Sequence, residues 1–276
     1  MIKILVDSAS DCRNNRSIFH TVIPITVSLG GTEYTDGENL DADTFYRLLA
    51  ETKEFPKTAQ PSPQQFAEVF QQIKDSDDEL IYFSISSALS GTFQSATIAK
   101  DMVDCDRIHL FDTKTATHAV NFLAGYAVHM ANQGATVSEI LTACEDLKGK
   151  VKLLAGVDTL EYLYRGGRLT KSSAAVGELA RVKPIITITS EGTVSMIGKS
   201  LGKAGSMQLI AKQLAGFHVD KRFPLYSLYT YGEENCKQLE QTLEEKGYPI
   251  AGRLQVGASI GAHVGPGVYG VLFVTE

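Results

Sequence analysis

The chain has 276 residues, a formal net charge of −6 and no long run of Lys or Arg. This length exceeds the common single-domain size, so two domains that share an interface are expected. The acidic balance argues against nucleic acids and anionic membrane surfaces as partners, which leaves small molecules and proteins.

Four cysteines, at positions 12, 105, 144 and 236, form no Cys-x-x-Cys pair and have no short spacing to a histidine. The sequence therefore predicts neither a disulfide framework nor a metal site, and nothing in it indicates a cofactor. Residues 2–6 are apolar but too few for a signal peptide, and no apolar run approaches ~18 residues. We expect a cytoplasmic protein without stable membrane insertion.

The chain begins with short apolar runs separated by polar loops. Residues 2–6 predict a buried strand that opens into a polar loop at Asp7, and residues 22–31 predict a small hairpin. A helix then precedes a polar loop at residues 57–62, where Ser62 opens the next helix with a complete capping box.

Strands and helices alternate in the next part of the chain. Residues 80–85 predict a buried strand, residues 91–100 a helix, and residues 107–111 a second strand followed by another helix. A capping box at Thr136 opens one more helix, and residues 152–157 predict another strand. Such alternation is typical of a parallel sheet covered by helices on both faces.

The second half changes character. Asp158 is predicted to cap a short helix that runs into Arg165-Gly166-Gly167-Arg168, and residues 184–196 predict a hairpin. Further helices are predicted near residues 203–215 and 233–246, and further strands near residues 224–229, 250–256 and 268–274. The expected fold class is α/β with two domains: a parallel-sheet N-terminal domain over residues 1–156, and a smaller α+β domain with an antiparallel or mixed sheet over residues 157–276.

The hydroxyl-rich connection before residues 91–100 predicts a site for a small anion. A helix start leaves amides unpaired and carries about +0.5 of a charge, so Ser90 and the amides of Gly91 and Thr92 could hold a carboxylate or a phosphate. Plain capping of the helix by Ser90 is an equally open alternative, because serine is a common N-cap.

His263 lies in a glycine-rich segment, residues 257–267, which predicts a loop that could wrap a ligand. An ordinary satisfied polar histidine is the alternative. The nearby Gly-x-Gly-x-x-Gly at residues 265–270 is followed by a strand rather than a helix, so a dinucleotide site is not predicted.

Ser90 and His263, with Asp7 or Asp112 as a third member, leave open a serine hydrolase of a small ester or thioester. The residues around Ser90 lack the Gly-x that precedes the serine in a nucleophile elbow. Binding is therefore favoured over hydrolysis.

Five motifs, in order along the chain, resemble the DegV family. They are Asp7-Ser8, Thr-Ala-Gln-Pro-Ser at residues 58–62, Leu-Ser-Gly-Thr at residues 89–92, Asp-Thr-Leu-Glu-Tyr-Leu-Tyr-Arg-Gly-Gly-Arg at residues 158–168, and the loop at residues 263–267. The resemblance spans the whole chain. It implies two α/β domains that sandwich a long-chain fatty acid, in the binding subunit of a bacterial fatty-acid kinase.

The resemblance also implies a set of ligand-binding residues. Thr58, Ser90 and His263 match the family residues that hydrogen-bond the fatty-acid carboxyl group, and Gly91 and Thr92 belong to the helix start beside them. The tail would supply affinity by burial, and the polar groups would replace the water around the carboxylate.

Family members of this kind perform no catalysis themselves, so no catalytic residue is expected. The resemblance implies that a separate kinase would phosphorylate the presented carboxyl group and that an acyl-phosphate acyltransferase would pass the product to phospholipid synthesis. Arg165 and Arg168 would lie near the site mouth and face the kinase or the new phosphate; two solvated arginines in a surface turn are the alternative. A lipid sensor without a kinase partner is a further alternative.

Two positions depart from the family pattern. Ala59 stands where the family usually has serine, and Leu201 stands where it commonly has arginine. The missing hydroxyl and the missing arginine put the contacts of these positions in doubt, and with them the acyl preference and the kinase interface.

Overall fold

The structure is a computed structural model that describes residues 1–12, 19–52, 54–169 and 181–276. Its strands are β1 (Ile2–Asp7), β2 (Thr21–Ile23), β3 (Thr26–Leu29), β4 (Thr32–Thr35), β5 (Lys57–Ala59), β6 (Glu79–Ser84), β7 (Ile108–Asp112), β8 (Val151–Gly156), β9 (Val182–Ile188), β10 (Val194–Leu201), β11 (Tyr226–Tyr229), β12 (Gly252–Gln255) and β13 (Tyr269–Val274). Its helices are α1 (Ala42–Glu51), α2 (Pro63–Lys74), α3 (Thr92–Val103), α4 (His118–Asn132), α5 (Val137–Lys148), α6 (Glu161–Arg165), α7 (Gly202–Leu214), α8 (Glu234–Glu244) and α9 (Ala258–Val264).

A parallel four-stranded sheet has the strand order β2-β1-β6-β7. Side chains of β6 alternate between its faces: Leu80 and Tyr82 pack with α2 and α3, whereas Ile81 and Phe83 pack with α4. The predicted parallel sheet with helices on both faces is therefore confirmed.

A mixed six-stranded sheet has the strand order β10-β9-β8-β13-β11-β12. Strands β11 and β12 pair in parallel, and the other neighbours pair antiparallel. Helices α7 and α8 cover one face, where Ile210 and Leu239 pack with Leu154 and Val271. This sheet confirms the mixed α+β character predicted for the second half.

The predicted domain boundary, after residue 156, cuts the six-stranded sheet between β8 and its neighbours. Strand β8 pairs with β13 over its whole length and with β9 at its end. A division after residue 156 would separate β8 from these partners. The two-domain division thus remains a prediction, and we place β8 in the second unit.

A small antiparallel sheet has the strand order β4-β3-β5. Gly30 and Gly31, with φ angles of 59° and 76°, join β3 to β4, so the predicted hairpin is confirmed. The polar loop predicted at residues 57–62 is wrong in part, because β5 pairs with β3 through Lys57 to Ala59.

Helix α9 lies over most of the glycine-rich loop predicted at residues 257–267, so that prediction is wrong for residues 258–264. It is right at its end, where Gly265 and Gly267 form a loop whose backbone approaches Tyr162 and Asp158 closely. Ala258 and Ala262 of α9 pack with Phe45 and Tyr46 of α1. These small side chains let the two helices approach closely, and this packing holds a helical segment that its glycines would otherwise disfavour.

The predicted helix caps have mixed outcomes. Ser62 and Thr136 form complete capping boxes, as predicted. The cap predicted at Asp158 is wrong: the hydroxyl of Thr159 accepts the first α6 amide, 3.1 Å away. Asp158 instead forms a 2.9 Å ion pair with Lys183 of β9.

In the part of the chain that the structure describes, no helix is both long and apolar enough to cross a membrane. Within the same ranges, no three His, Cys, Asp or Glu side chains gather in a way that could hold a metal ion.

Candidate functional site

A cavity lies between the parallel sheet and the six-stranded sheet. Its empty space is about 1140 Å³, including the part open to solvent. Apolar side chains from both sides form most of its wall: Ala9, Ile25, Ile85, Leu89, Ala116, Leu153, Ala155, Leu163, Ile186, Ile188, Val194, Leu228, Val256, Ile260, Val264 and Val268. A cavity of this size and lining is typical of a site for an apolar small molecule.

Five polar residues of the wall form what we call the polar cluster: Thr58, Gln60, Ser90, Arg168 and His263. Thr58 and His263 contact each other, Arg168 bonds to the carbonyl of Leu89 beside Ser90, and Gln60 rests against Gly91 on its other side. The five residues come from β5 and the residue after it, the loop before α3, the turn after α6, and α9. The cluster therefore depends on elements from widely separated parts of the chain.

The contact between Thr58 and His263 is central to the cluster. The Thr58 hydroxyl oxygen lies 2.8 Å from Nε2 of His263, and both side chains are partly buried. Antiparallel pairing of β5 with β3 presents Thr58, and packing of α9 on α1 presents His263.

At the start of α3, Ser90 both bonds to the first turn of the helix and lines the cavity, so its position fits both the capping and the ligand-binding interpretation. Gly91 occupies the N-cap position, so the prediction of Ser90 as N-cap is wrong by one residue. The Ser90 hydroxyl nevertheless accepts the Thr92 amide at 3.3 Å and lies 2.8 Å from the Thr92 hydroxyl. Ser90 lines the cavity, whereas Thr92 is fully buried and, like Gly91, is not among the residues of the cavity wall.

The environment of His263 strongly favours a neutral imidazole. Burial, followed by the nearby positive charge of Arg168, lowers the pKa of His263 to about 4. Its Nδ1 is buried and accepts or donates no hydrogen bond within the described residues. A Cβ added to Gly166 would lie 2.3 Å from that nitrogen, so the backbone of Gly166 covers it.

Arg168 connects the turn after α6 to the start of α3. Its Nε donates to the carbonyl of Leu89 at 2.9 Å, and its Nη1 donates to the carbonyl of Gly166 at 2.5 Å. Burial lowers the pKa of this guanidinium, which nonetheless stays charged at neutral pH. Arg168 therefore places a positive charge in the wall of the cavity rather than in an exposed turn.

Arg165 has a different setting from Arg168. It is exposed, forms a 2.7 Å ion pair with Glu161, and its guanidinium lies 4.0 Å from the ring centre of Phe55. The structure thus separates the two arginines of the motif, with Arg168 at the cavity and Arg165 on the surface.

Outside the polar cluster, the other hydroxyl groups of the wall are bonded to neighbours. The hydroxyls of Thr117, Thr187 and Ser259 donate to Asp11, to the carbonyl of Leu153 and to Asp36, respectively. A hydroxyl has one proton to donate, so these three offer no spare donor to a ligand. The wall away from the cluster is chemically apolar.

The geometry does not form a hydrolytic triad from the residues predicted for it. His263 Nε2 contacts Thr58, the Ser90 hydroxyl contacts Thr92, and no bond joins Ser90 to His263 in the described ranges. Asp7 accepts bonds from Tyr82 and from the backbone amides of Ala9 and Ile85. Asp112 forms a 2.8 Å ion pair with Lys114, so among the described residues neither carboxylate is bonded to His263. A histidine with a pKa of about 4 is also a weak general base at neutral pH.

Sequence reasoning did not assign a role to Gln60 or Gly166, although both stand in the motifs that it quoted. A Cβ added to Gly91 would lie 1.9 Å from Oε1 of Gln60, so the Gln60 amide rests on the Gly91 backbone. Glycine between two arginines was a usable signal for close backbone approach at Gly166.

Both departures from the family pattern lie away from the cavity wall. Ala59 is exposed on β5, between Thr58 and Gln60, and side chains alternate along a strand, so it points to the opposite side. Leu201 is 76% exposed at the end of β10.

Together, these features define an α/β protein of two large sheets with an apolar internal cavity and one polar cluster in its wall. The family model described as an uncharacterised protein of the DegV family matches residues 1–276. The chain belongs to the DegV family, and the predicted resemblance is confirmed.

Relatives and solved structures agree with this assignment. A DegV domain-containing protein of Caldanaerobacter subterraneus subsp. tengcongensis is 34% identical over 276 residues, which cover 99% of this chain and 98% of the relative. A DegV family protein from Thermus thermophilus, described for its fatty acid binding, has a TM-score of 0.88 at 31% identity and covers 100% of this chain and 99% of that chain. A stearic acid-binding protein from Eubacterium ventriosum has a TM-score of 0.86 at 26% identity, with 100% and 98% coverage.

Proposed function

We propose that this protein binds a long-chain fatty acid in the cavity and presents the carboxyl group to a separate fatty-acid kinase. The observation that carries the proposal is the pairing of a largely apolar cavity with one polar cluster in its wall. The fatty acid binding described for its relatives supports the same ligand.

The apolar wall would supply most of the affinity. An acyl chain of about fifteen methylenes at ~0.8 kcal/mol each offers ~12 kcal/mol on burial, before the costs of association and ordering. This is enough to retain a ligand without any bond to its head group. The polar cluster would then set orientation rather than affinity alone.

The polar cluster suits an anionic head group. The hydroxyls of Thr58 and Ser90 can donate to carboxylate oxygens, and Arg168 contributes positive charge. Neutral His263 can hold the Thr58 hydroxyl in place, so that one side chain orients another. A carboxylate buried without such partners would be costly.

The acyl phosphate formed by the kinase would pass to an acyltransferase and enter phospholipid synthesis, and the carrier itself would act in the cytoplasm without catalysing a reaction. Exposed Arg165 is placed where a protein partner could reach it. Arg168, in the cavity wall, is better placed to meet the carboxyl group or the new phosphate.

The first experiment is mass spectrometry of small molecules released by organic solvent from the purified, folded protein. We expect a long-chain fatty acid at about one per chain. A protein that is empty, and stays empty after incubation with saturated and unsaturated fatty acids, would contradict the proposal. Co-purification with a kinase subunit would separate a carrier from a lipid sensor without a kinase partner, and turnover of aryl esters would favour a hydrolase.

A further inference from the structure

Gln60 belongs to the polar cluster, but the proposed function gives its side chain no contact of its own. It lines the cavity and is exposed at its mouth, next to the start of α3. Because side chains alternate along an extended segment, Gln60 points to the same side as Thr58, two residues earlier. The segment that supplies Thr58 to the polar cluster therefore supplies Gln60 as well.

The Gln60 side chain is held between two fixed parts of α3. Its amide nitrogen lies 3.0 Å from the hydroxyl of Ser95, which is 1% exposed and one turn into the helix. Its amide oxygen rests against the α-carbon of Gly91, where any side chain would collide with it at 1.9 Å. A glycine at position 91 is thus required for the carboxamide to reach this place.

The two ends of a carboxamide have nearly the same shape, and a hydroxyl can either donate or accept. Turning the Gln60 amide by half a turn would keep the bond to Ser95, with the Ser95 hydroxyl now donating to the Gln60 oxygen. The amide NH2 group would then face Gly91 and the cavity beside Ser90. In that orientation the amide has an N–H that is not used by Ser95, next to Ser90 in the cavity wall, and it can donate to an anion there.

We infer that Gln60 is a further head-group residue, which donates its amide N–H to the ligand carboxylate while Ser95 holds the amide in place. This inference rests on the proposed function, since it assigns a contact to the same fatty acid. It adds a neutral donor at the mouth of the cavity to the hydroxyls of Thr58 and Ser90. It also explains why the Gln60 amide needs bare backbone at Gly91.

The test compares two ligands that share a tail and differ in the head group, palmitic acid and hexadecan-1-ol. Affinities are measured by competition against a fluorescent fatty acid for the unchanged protein, Gln60→Glu and Gln60→Met. Gln60→Glu keeps the bond to Ser95 but places a negative charge beside the ligand carboxylate. We expect it to weaken palmitic acid binding by more than about tenfold, and Gln60→Met by about tenfold, with the alcohol little affected.

A matched control is Gln64→Glu, which adds the same charge at an exposed position of α2. It should leave both affinities unchanged. The side-chain amide signals of Gln60, assigned by their loss in Gln60→Met, should also shift in NMR spectra when palmitic acid is added, but not when Gln60 merely supports the fold.

The outcomes separate this inference from the proposed function. Normal palmitic acid affinity in Gln60→Glu, or equal losses for the acid and the alcohol, would overturn the role of Gln60 alone. If the unchanged protein binds neither ligand, the proposed function falls and the inference with it.

Discussion

The Nε2 of His263 and the hydroxyl oxygen of Thr58 lie 2.8 Å apart, although 205 positions separate the two residues in the chain. This contact joins the small antiparallel sheet to α9. With Nδ1 of His263 enclosed and unbonded in the described structure, the tautomer that carries its proton on Nε2 avoids a buried, unpaired N–H group. The imidazole then donates to Thr58, and the Thr58 proton is free to point at a ligand.

The first prediction concerns this orientation of the Thr58 hydroxyl. Thr58→Val keeps the shape of the side chain but removes the donor and leaves the His263 N–H without its acceptor. We expect fatty acid binding to become weaker by about 1.5 kcal/mol or more in binding free energy. Displacement of a fluorescent fatty acid measures this change.

The same substitution at a partly exposed site away from the cavity serves as the control for Thr58→Val. The hydroxyl of Thr242 on α8 donates to a carbonyl within its own helix, far from the cavity wall. Thr242→Val should leave fatty acid affinity unchanged. If the two variants bind equally well, the Thr58 hydroxyl does not contact the head group.

A second prediction tests the close approach of Gly166 to His263. A Cβ at residue 166 would lie 2.3 Å from Nδ1 of His263, so Gly166→Ala must displace the imidazole. We expect weaker fatty acid binding and, in NMR spectra, shifted ring signals of His263.

In contrast, a Cβ at Gly125 of α4 meets nothing within 4 Å, and Gly125→Ala should raise the free energy of unfolding by roughly 0.5–1 kcal/mol. Unchanged binding in Gly166→Ala would show that the imidazole position is not critical.

The sequence predicted those features of the site that depend on neighbouring residues, and missed those that depend on contacts between distant parts of the chain. The polar start of α3 at Ser90 was predictable, because a strand followed by hydroxyl residues and a helix is a pattern of neighbouring positions. The partner of His263 was not, since Thr58 reaches it through the pairing of β5 with β3, a three-residue strand with little local signal. The helical state of α9 was also hidden: Gly261 lowers helix propensity, but a Cβ there would lie 2.4 Å from the Tyr46 hydroxyl.

In the fold, too, elements with a local sequence pattern were predictable, whereas pairings between distant segments were not. Alternating strands and helices predicted the parallel sheet, since each element of that sheet has its own hydrophobic pattern. Strand β8 was placed at the end of the first domain because it follows α5 in the chain. Its assignment to the six-stranded sheet is decided by pairing with β13, more than a hundred residues later, which no local pattern reports.

A third prediction separates the two arginines of the motif. Arg168→Ala removes the bonds to the carbonyls of Leu89 and Gly166 and the positive charge in the cavity wall. We expect a loss in fatty acid binding of about 1.5–3 kcal/mol, the usual range for hydrogen bonds that involve a charged group. Arg165→Ala, at the exposed ion pair with Glu161, should leave fatty acid affinity unchanged and is the matched control. Equal losses in both variants would contradict a special role for Arg168.

Removal of the Arg168 charge should also act on His263. Arg168 is one of the two causes that lower the pKa of the imidazole, the larger being burial. In Arg168→Ala, the pKa of His263 should therefore rise from about 4, but stay below 6.5 because burial remains. Titration of the histidine ring signals by NMR measures this shift, and an unchanged pKa would mean that the two groups do not interact.

The fourth prediction is the pH dependence of stability that His263 contributes. Its pKa is about 4 in the folded chain against 6.5 for the ordinary group, so between these values the unfolded chain binds the additional proton. Stability from this residue is therefore complete above pH 6.5 and is lost as the pH falls toward 4, by at most on the order of 3 kcal/mol. Urea denaturation of the unchanged protein and of His263→Gln across this range measures the difference at each pH.

The comparison with His263→Gln is needed because Asp7 acts in the opposite direction. Burial raises the pKa of Asp7 to about 6 from 3.8, so the folded chain binds the additional proton, and stability from Asp7 is lost as the pH rises between these values. Asp7 is present in both proteins, and its contribution cancels in their difference. The stability advantage of the unchanged protein over His263→Gln should therefore shrink steadily from pH 6.5 to 4. A difference that is constant with pH would show that His263 titrates normally in the folded chain, and would remove the argument that burial keeps it neutral beside Thr58.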